Sequence, residues 1–188
     1  MKRALRQLVS GVKYGPHYPT HPDGSARYLK GQHFGEHGEP DFRDDSFVRL
    51  SAEELAARRL RPGQVILAAK GHRNFAWAYD KSFGPAIASS SFYVLTLRPE
   101  LILPDYCSLI LNTASCVRAL GRMAKGTSVP VIPKRELLDL ELPVPTLERQ
   151  AQLVALHDLQ RRRQTLYREL AQRQYDLDQA TLTQLIKA

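Results

Sequence analysis

The feature that most constrains the fold is a long tract near the C-terminus that has no helix-breaking residue. Residues 147–186 contain neither proline nor glycine, and Ala, Leu, Gln, Arg and Glu dominate. Because these residues favour helix, the tract predicts one continuous helix, about 60 Å long at 1.5 Å per residue. Pro143 and Pro145 precede it and disfavour helix, which predicts a stiff hinge followed by a helix that Thr146 caps.

Apolar residues recur along this tract at alternating spacings of three and four. The leucines of the stripe are Leu156, Leu159, Leu166, Leu170 and Leu177, followed by Ala180. Arg163 and Arg173 occupy two further positions of the same seam. This pattern is typical of a coiled coil with polar interruptions. Because a lone helix cannot bury such a stripe, a partner helix is expected.

The residues before the hinge predict a small α+β domain. Ser51 and Glu54 have the spacing of a capping box and predict a short helix, and residues 103–123 predict helix in one or two pieces. Short strands are predicted at residues 27–30, 64–70, 75–79, 90–97, 129–132 and 140–142. We therefore expect a globular domain at residues 1–145 and a long coiled-coil-type helix at residues 146–188.

The net charge favours a polyanionic partner. The chain has 188 residues and a net charge of +8, of which residues 146–188 carry +2, from seven basic and five acidic side chains. The remaining +6 lies on the predicted domain. Cationic surfaces bind nucleic acid through the release of counterions from phosphates, although many basic proteins bind none.

Cysteine usage and hydropathy predict a cytoplasmic protein. Cys107 and Cys116 are the only cysteines, and nine residues of helix would place them on opposite faces, which predicts packed thiols. The sequence has neither a signal peptide nor an apolar run near the ~20 residues of a membrane span, so no membrane association is expected.

Metal and catalytic motifs are weak. His17 and His21 are four residues apart, as are His33 and His37, but prolines and glycines interrupt both pairs and prevent helical alignment. No phosphate-binding loop, dinucleotide fingerprint or nucleophile elbow is present. We therefore predict no catalytic residue, no metal site and no cofactor. The scattered acidic residues leave a cryptic metal-dependent nuclease open as an alternative.

The order of several segments resembles one half of the specificity subunit of a type I restriction–modification system. The segments are YLKGQHF at residues 28–34, RPGQVIL at 61–67, AIASSSF at 86–92, KGTS at 125–128, and the stretch 132–150 that ends in LPVPTLERQ. Such subunits carry two recognition domains and two helices, whereas this sequence carries one of each. It also departs from the family at Gln64, where an acidic residue is usual, and at Thr146 and Arg149.

The resemblance implies a function without catalysis. The domain would read base edges in the major groove of double-stranded DNA, and the helix would pair with a second copy in antiparallel orientation, or with another specificity chain. Methylation and cleavage would belong to the methyltransferase and restriction subunits of the complex. An adaptor that docks on such a partner without reading bases is the other alternative. The sequence does not predict the target site.

Twelve polar or aromatic residues are the candidates for DNA contact. They are Lys13, Tyr14, His17, Tyr28, Lys30, Lys70, Arg73, Asn74, Lys125, Thr127, Ser128 and Lys134. Arg73 and Asn74 lie in a predicted hairpin loop, and these residue types suit guanine and adenine in the major groove. Lys13, Tyr14 and His17 are placed in an irregular loop, whereas Tyr28 and Lys30 would share one face of a strand.

Overall fold

A computed structural model describes residues 1–35, 38–41 and 46–187. The chain forms two compact units, Met1–Gln150 and Ala151–Ala188. The first unit mixes helices and strands, and the second is a single long helix. The predicted α+β class with a long C-terminal helix is confirmed.

The elements are short except for the last helix. The described strands are β1 (Lys2–Ala4), β2 (Val9–Tyr14), β3 (Ala26–Leu29), β4 (Phe47–Val48), β5 (Gln64–Ala68), β6 (Ala76–Ala78), β7 (Ala86–Ala88), β8 (Phe92–Leu97) and β9 (Glu141–Pro143). The α-helices are α1 (Leu5–Leu8), α2 (Ala52–Arg58), α3 (Pro104–Leu111), α4 (Ala114–Met123), α5 (Lys134–Leu138) and α6 (Leu147–Lys187). Ser51 caps α2 as predicted, because its hydroxyl accepts from the Glu54 amide and the Glu54 carboxylate accepts from the Ser51 amide.

The strands form three sheets. A four-stranded antiparallel sheet has the order β2-β8-β5-β6, a three-stranded sheet has the order β4-β3-β7, and β1 pairs with β9. In the three-stranded sheet β3 and β7 are parallel, whereas β3 and β4 are antiparallel. The pairing of β1 with β9 joins the first residues of the chain to the segment just before the hinge.

An aromatic core fills the space between the two larger sheets. Phe34, Phe75 and Phe92 pack with ring centroids 5.1–5.8 Å apart, and all three are almost fully buried. Ile66 of β5 and Leu29 of β3 belong to the same cluster. Each such side chain contributes about 1.5–3 kcal/mol by leaving water. The first unit therefore has a hydrophobic core of its own.

Side chains close both edges of the four-stranded sheet. At β6, the Ala76 amide donates to Asn112 Oδ1 (2.8 Å), and Asn112 Nδ2 donates back to the Ala76 carbonyl (2.8 Å). Ser108 Oγ donates to the same carbonyl (3.0 Å). At β2, Lys134 Nζ donates to the Val12 carbonyl (2.8 Å). Backbone groups that would otherwise be unpaired at the edge thus have partners.

Gln150, in the first turn of α6, is anchored in the first unit. Its side chain is fully buried. Its Oε1 accepts from the Leu103 amide (2.9 Å), while its Nε2 donates to the carbonyls of Leu101 (3.0 Å) and Pro145 (2.9 Å). One amide therefore satisfies three backbone groups around the hinge.

From Leu156 onward, α6 leaves its large apolar side chains exposed. The leucines of the predicted stripe, Leu156, Leu159, Leu166, Leu170 and Leu177, are 52–65% exposed. The helix itself extends over the predicted tract without a break. Within the described residues, no helix is long and apolar enough to cross a membrane.

Some local predictions were wrong. Residues 129–132 do not form a strand, because Pro130 has no amide hydrogen and only Val131 makes bridges, to Lys70 and Lys125. Lys13 and Tyr14 lie on β2 rather than in a loop, since Val12 and its neighbours pair with β8.

Three further predictions concern α3, α4 and β3. The helix expected over residues 103–123 in one or two pieces forms as two, α3 and α4, and the Thr113 side chain caps the second. Lys30 lies just outside β3, so it does not share a strand face with Tyr28 as predicted. Cys107 and Cys116 are buried free thiols, as expected, one on each of the two helices.

Candidate nucleic-acid interface

Several of the predicted contact residues meet at one end of the four-stranded sheet. β2 and β5 are both antiparallel to β8, so they run in the same direction and their last residues lie at the same end. Tyr14 ends β2, and Lys70 follows shortly after β5. The fold thus brings together two residues that are 56 positions apart in the sequence.

Tyr14 and Lys70 form an exposed pair of an aromatic ring and a cation. Lys70 Nζ lies 5.0 Å from the centroid of the Tyr14 ring, and Tyr14 is 42% exposed. The Tyr14 hydroxyl donates to the Tyr93 hydroxyl (2.6 Å), which in turn donates to the Ile132 carbonyl (2.9 Å). Burial raises the pKa of Tyr93, which therefore stays neutral. A buried tyrosine holds the exposed one in place.

A tight loop at residues 125–131 lies beside this pair. Lys125 and Val131 exchange two backbone hydrogen bonds, both 2.9 Å, and the Gly71 amide donates to the Pro130 carbonyl (2.9 Å). Gly126 has φ +110°, a conformation that L residues rarely adopt. The loop is therefore held next to the end of β5 by the backbone alone.

The tip of the loop is exposed. Thr127 and Ser128 are open to solvent, and Val129 is 57% exposed. Two small hydroxyls and one methyl-bearing side chain on a fixed backbone match the polar edges and methyl groups that bases present.

Arg73 and Asn74 use hydrogen-bond donors within the domain. Arg73 Nη1 donates to the Phe34 carbonyl (3.1 Å) and Nη2 donates to the Gly31 carbonyl (2.9 Å). Asn74 Nδ2 donates to the Ala68 carbonyl (3.1 Å), which closes the loop between β5 and β6. These bonds give both residues a structural role that their position in a polar loop did not predict.

Tyr28 is too buried to contact a ligand, so it is not part of the candidate interface. Its side chain is 2% exposed. Its hydroxyl donates to the Pro16 carbonyl (2.8 Å) and accepts from the Tyr18 amide (3.1 Å), which fixes the loop after β2. Lys30 Nζ lies 5.9 Å from the Tyr28 ring, and His17 is exposed on the loop that Tyr28 holds.

The two remaining lysines have intramolecular partners. Lys125 forms an ion pair with Glu136, and Lys134 donates to β2. Exposed ion pairs are weak, so Lys125 remains accessible to an anion. The exposed candidates without a side-chain partner described above are Lys13, His17, Thr127 and Ser128, and Lys70 is half-buried beside the exposed Tyr14.

Tyr93 and Val129 were missed at the sequence level. Tyr93 lies in an apolar strand, where nothing in the sequence identifies its partner across the sheet. Val129 was assigned to a strand, and only the proline after it signals that the segment forms a loop tip. Within residues 1–35, 38–41 and 46–187, no group of three His, Cys, Asp or Glu is placed to bind a metal ion. His37 of the second histidine pair lies outside the described residues.

The fold is shared with subunits of restriction enzymes. The S subunit of a type I restriction–modification system from M. genitalium superposes with a TM-score of 0.62, at 17% identity over 85% of this chain and 38% of the other. The HsdS subunit from Thermoanaerobacter tengcongensis gives 0.62, at 16% identity over 87% of this chain and 37% of the other. A structure described as addressing complex assembly and conformational transition of the type I restriction–modification system gives 0.61, at 18% identity over 95% of this chain and 43% of the other.

These similarities are structural, because no protein-family model and no curated protein matches the sequence. This chain spans about two fifths of the length of the solved structures. In fold, the chain corresponds to one target-recognition domain and one long helix of a type I restriction–modification S subunit.

Proposed function

We propose that this chain reads a DNA sequence as half of a specificity subunit. The observation that carries the proposal is the Tyr14–Lys70 pair beside the hydrogen-bonded loop at residues 125–131, on a fold shared with S subunits. A preorganised cation, aromatic ring and hydroxyl-bearing loop at one end of a sheet form a surface that fits a DNA groove.

Each part of this surface has a chemical role. Lys70 donates to guanine acceptors, and the hydroxyls of Thr127 and Ser128 donate to or accept from base edges. Val129 supplies apolar contact for the methyl group of thymine. Lys13 and His17, together with Lys125, contact phosphates, which position the domain without reading sequence. Lys30, Arg73, Asn74 and Lys134 mainly support this surface through their contacts within the domain.

The long helix supplies the second half of the function. Its exposed leucines pair with an antiparallel helix of a second copy, or with another specificity chain, which places two domains on a two-part site. Modification and cleavage are then carried out by methyltransferase and restriction subunits, and the chain itself directs them without catalysis.

A selection from a random duplex library tests the proposal. The purified chain is expected to enrich a two-part motif with a fixed spacer. Substituting Lys70→Gln together with Ser128→Ala should relax the selected motif. Arg118→Gln, an exposed substitution on α4 outside the proposed surface, should leave the motif unchanged.

Other outcomes separate the alternatives. Enrichment of no motif, both by the chain alone and in complex with a methyltransferase, would contradict base reading and favour an adaptor. Metal-dependent cleavage of DNA by the chain, abolished by replacing one acidic residue, would establish a nuclease instead.

A further inference from the structure

A groove of about 760 Å³ lies over part of one face of the four-stranded sheet. Its floor includes Lys13, Val94, Thr96 and Gln64. Lys13 is opposite Val94 in the sheet register and Gln64 is opposite Thr96, which places all four side chains on one face. Residues between 57 and 63, at the end of α2 and in the turn that follows it, form one wall.

Among the described residues, the charged side chains that line the groove are all basic. They are Lys13, Arg58, Arg59 and Arg61, and no aspartate or glutamate of the described residues lines it. In the part of the chain that the structure describes, none of these arginines forms an ion pair. Four cations in one concave surface repel each other, and an anion in the groove relieves that repulsion.

Gln64 contributes no negative charge to the floor. Its Oε1 accepts from the Arg61 amide (2.9 Å) and its Nε2 donates to Thr96 Oγ1 (3.0 Å). A carboxylate at this position would accept from the same amide but would add a negative charge to the floor. The neutral amide thus holds the turn after α2 without weakening the positive potential of the groove.

The groove continues from the candidate interface. Tyr14 and Gly15 line it at the end where Lys70 lies, and Gln64 lines it at the other end of β5. Five residues of strand span about 13 Å from first to last Cα at 3.3 Å each, the axial length of about four base pairs. Gly15 passes so close to β7 that an added Cβ would lie 2.1 Å from the Ala88 carbonyl oxygen. The narrow passage at this end therefore requires glycine.

We infer that this groove holds the sugar–phosphate backbone of the DNA whose bases the neighbouring loop reads, an assignment that rests on the proposed function. Guanidinium groups bind phosphate oxygens through paired donors. An acidic protein partner fits less well, because the centre of a protein interface is apolar. Of the exposed large apolar side chains of the described domain, Met1, Tyr14, Val129 and Leu147, only Tyr14 lines the groove.

The salt dependence of DNA binding tests this assignment. The double substitution Arg58→Gln and Arg61→Gln is compared with Arg118→Gln and Arg122→Gln, which removes the same charge from exposed positions of α4. Each lost phosphate contact should lower the slope of log K against log salt by about 0.9, so the groove variant should lose about two slope units and the control none. The affinity loss should be equal for the selected and a scrambled duplex, because phosphates carry no base information.

Gln64→Glu provides a second test that removes no arginine. The carboxylate keeps the acceptor for the Arg61 amide, so the domain should keep its thermal unfolding midpoint, while DNA binding should weaken for both duplexes. An unchanged slope in the arginine variant, with the selected motif intact, would overturn the groove assignment alone. Wild-type affinity for DNA with loss of methyltransferase binding would instead make the groove a protein-docking site. Failure of the unaltered chain to bind any duplex would overturn both the groove and the proposed function.

Discussion

The two units of this chain differ in the exposure of their apolar side chains. In the first unit, large side chains such as Leu29, Ile66 and Phe92 are completely buried. In the second, Leu159 and Leu177 are more than 60% exposed. The first unit therefore obtains its hydrophobic stabilisation from its own core, whereas the second leaves its leucines exposed.

Polar side chains show the same contrast. Gln150, at the end of the first unit, is fully buried with three backbone partners. Glutamines further along the same helix, such as Gln160 and Gln172, are exposed. One continuous helix thus begins with a side chain that the first unit buries and continues into a segment whose side chains are exposed.

The largest expected effect sharpens the contrast at the boundary. Gln150→Leu should lower the free energy of unfolding of the first unit by about 4 kcal/mol. It leaves three backbone groups without a hydrogen-bond partner, and each such loss costs roughly 1–3 kcal/mol. Gln160→Leu, the matched change on the exposed part, should alter it by less than about 0.5 kcal/mol. Urea denaturation measures both, and equal effects would break the distinction between the two units.

The second prediction concerns the exposed leucines. Replacing Leu159, Leu166 and Leu170 by glutamine keeps helix propensity but removes apolar area, so self-association should weaken at least about a hundredfold, or 2.7 kcal/mol. The unfolding of the first unit should not change. Tyr175→Gln, an exposed substitution off the stripe, is the control. Sedimentation equilibrium measures the self-association. A monomeric unaltered chain would contradict helix pairing.

A smaller effect separates two tyrosines of the first unit. Tyr28→Phe should cost about 1–2 kcal/mol of stability, because the Pro16 carbonyl and the Tyr18 amide lose a buried partner. Tyr14→Ala should weaken DNA binding and leave stability less affected, since Tyr14 is 42% exposed. Thermal melts and DNA titrations of both variants are needed. The reverse pattern would place Tyr28 at the interface and Tyr14 in the core.

The smallest expected effect concerns the two cysteines, which should not react with a thiol reagent. Burial raises the pKa of Cys107 from 9.0 to about 12, so its thiolate is scarce at neutral pH, and Cys116 is also buried. Neither should react with a thiol reagent in the folded chain, whereas Ser128→Cys should react rapidly. Because the folded state holds the proton more tightly, stability from this thiol should be lost as the pH rises from 9 towards 12. Rapid labelling of the wild type would show that α3 and α4 open easily.

Local signals predicted much of the fold. The helix α6, the capping box of Ser51, and strands β5 and β8 each depend on residues that are neighbours in sequence. By contrast, Lys13 was expected in a loop, because β2 forms only by pairing with β8, about 80 residues away. A pairing of that kind leaves little trace in a single sequence.

The candidate site was less predictable than the fold. Residue type alone selected Tyr14 and Tyr28 alike, but only the tertiary structure shows that one is exposed and the other buried. Arg73 looked like a base-reading residue, although its guanidinium donates to two carbonyls of the domain. Arg58, Arg59 and Arg61 were not predicted as contact residues, because they line one groove only through the packing of α2 beside the sheet.

The closed sheet edges limit how this chain can polymerise. The amide of Asn112 occupies the hydrogen-bonding position at Ala76 that the backbone of a fifth strand would need. Lys134 blocks the opposite edge at Val12 with a charge. Strand addition, which has no natural end point, is therefore disfavoured at both edges. We propose that self-association occurs through the helix, where the pairing of two helices stops at a defined stoichiometry.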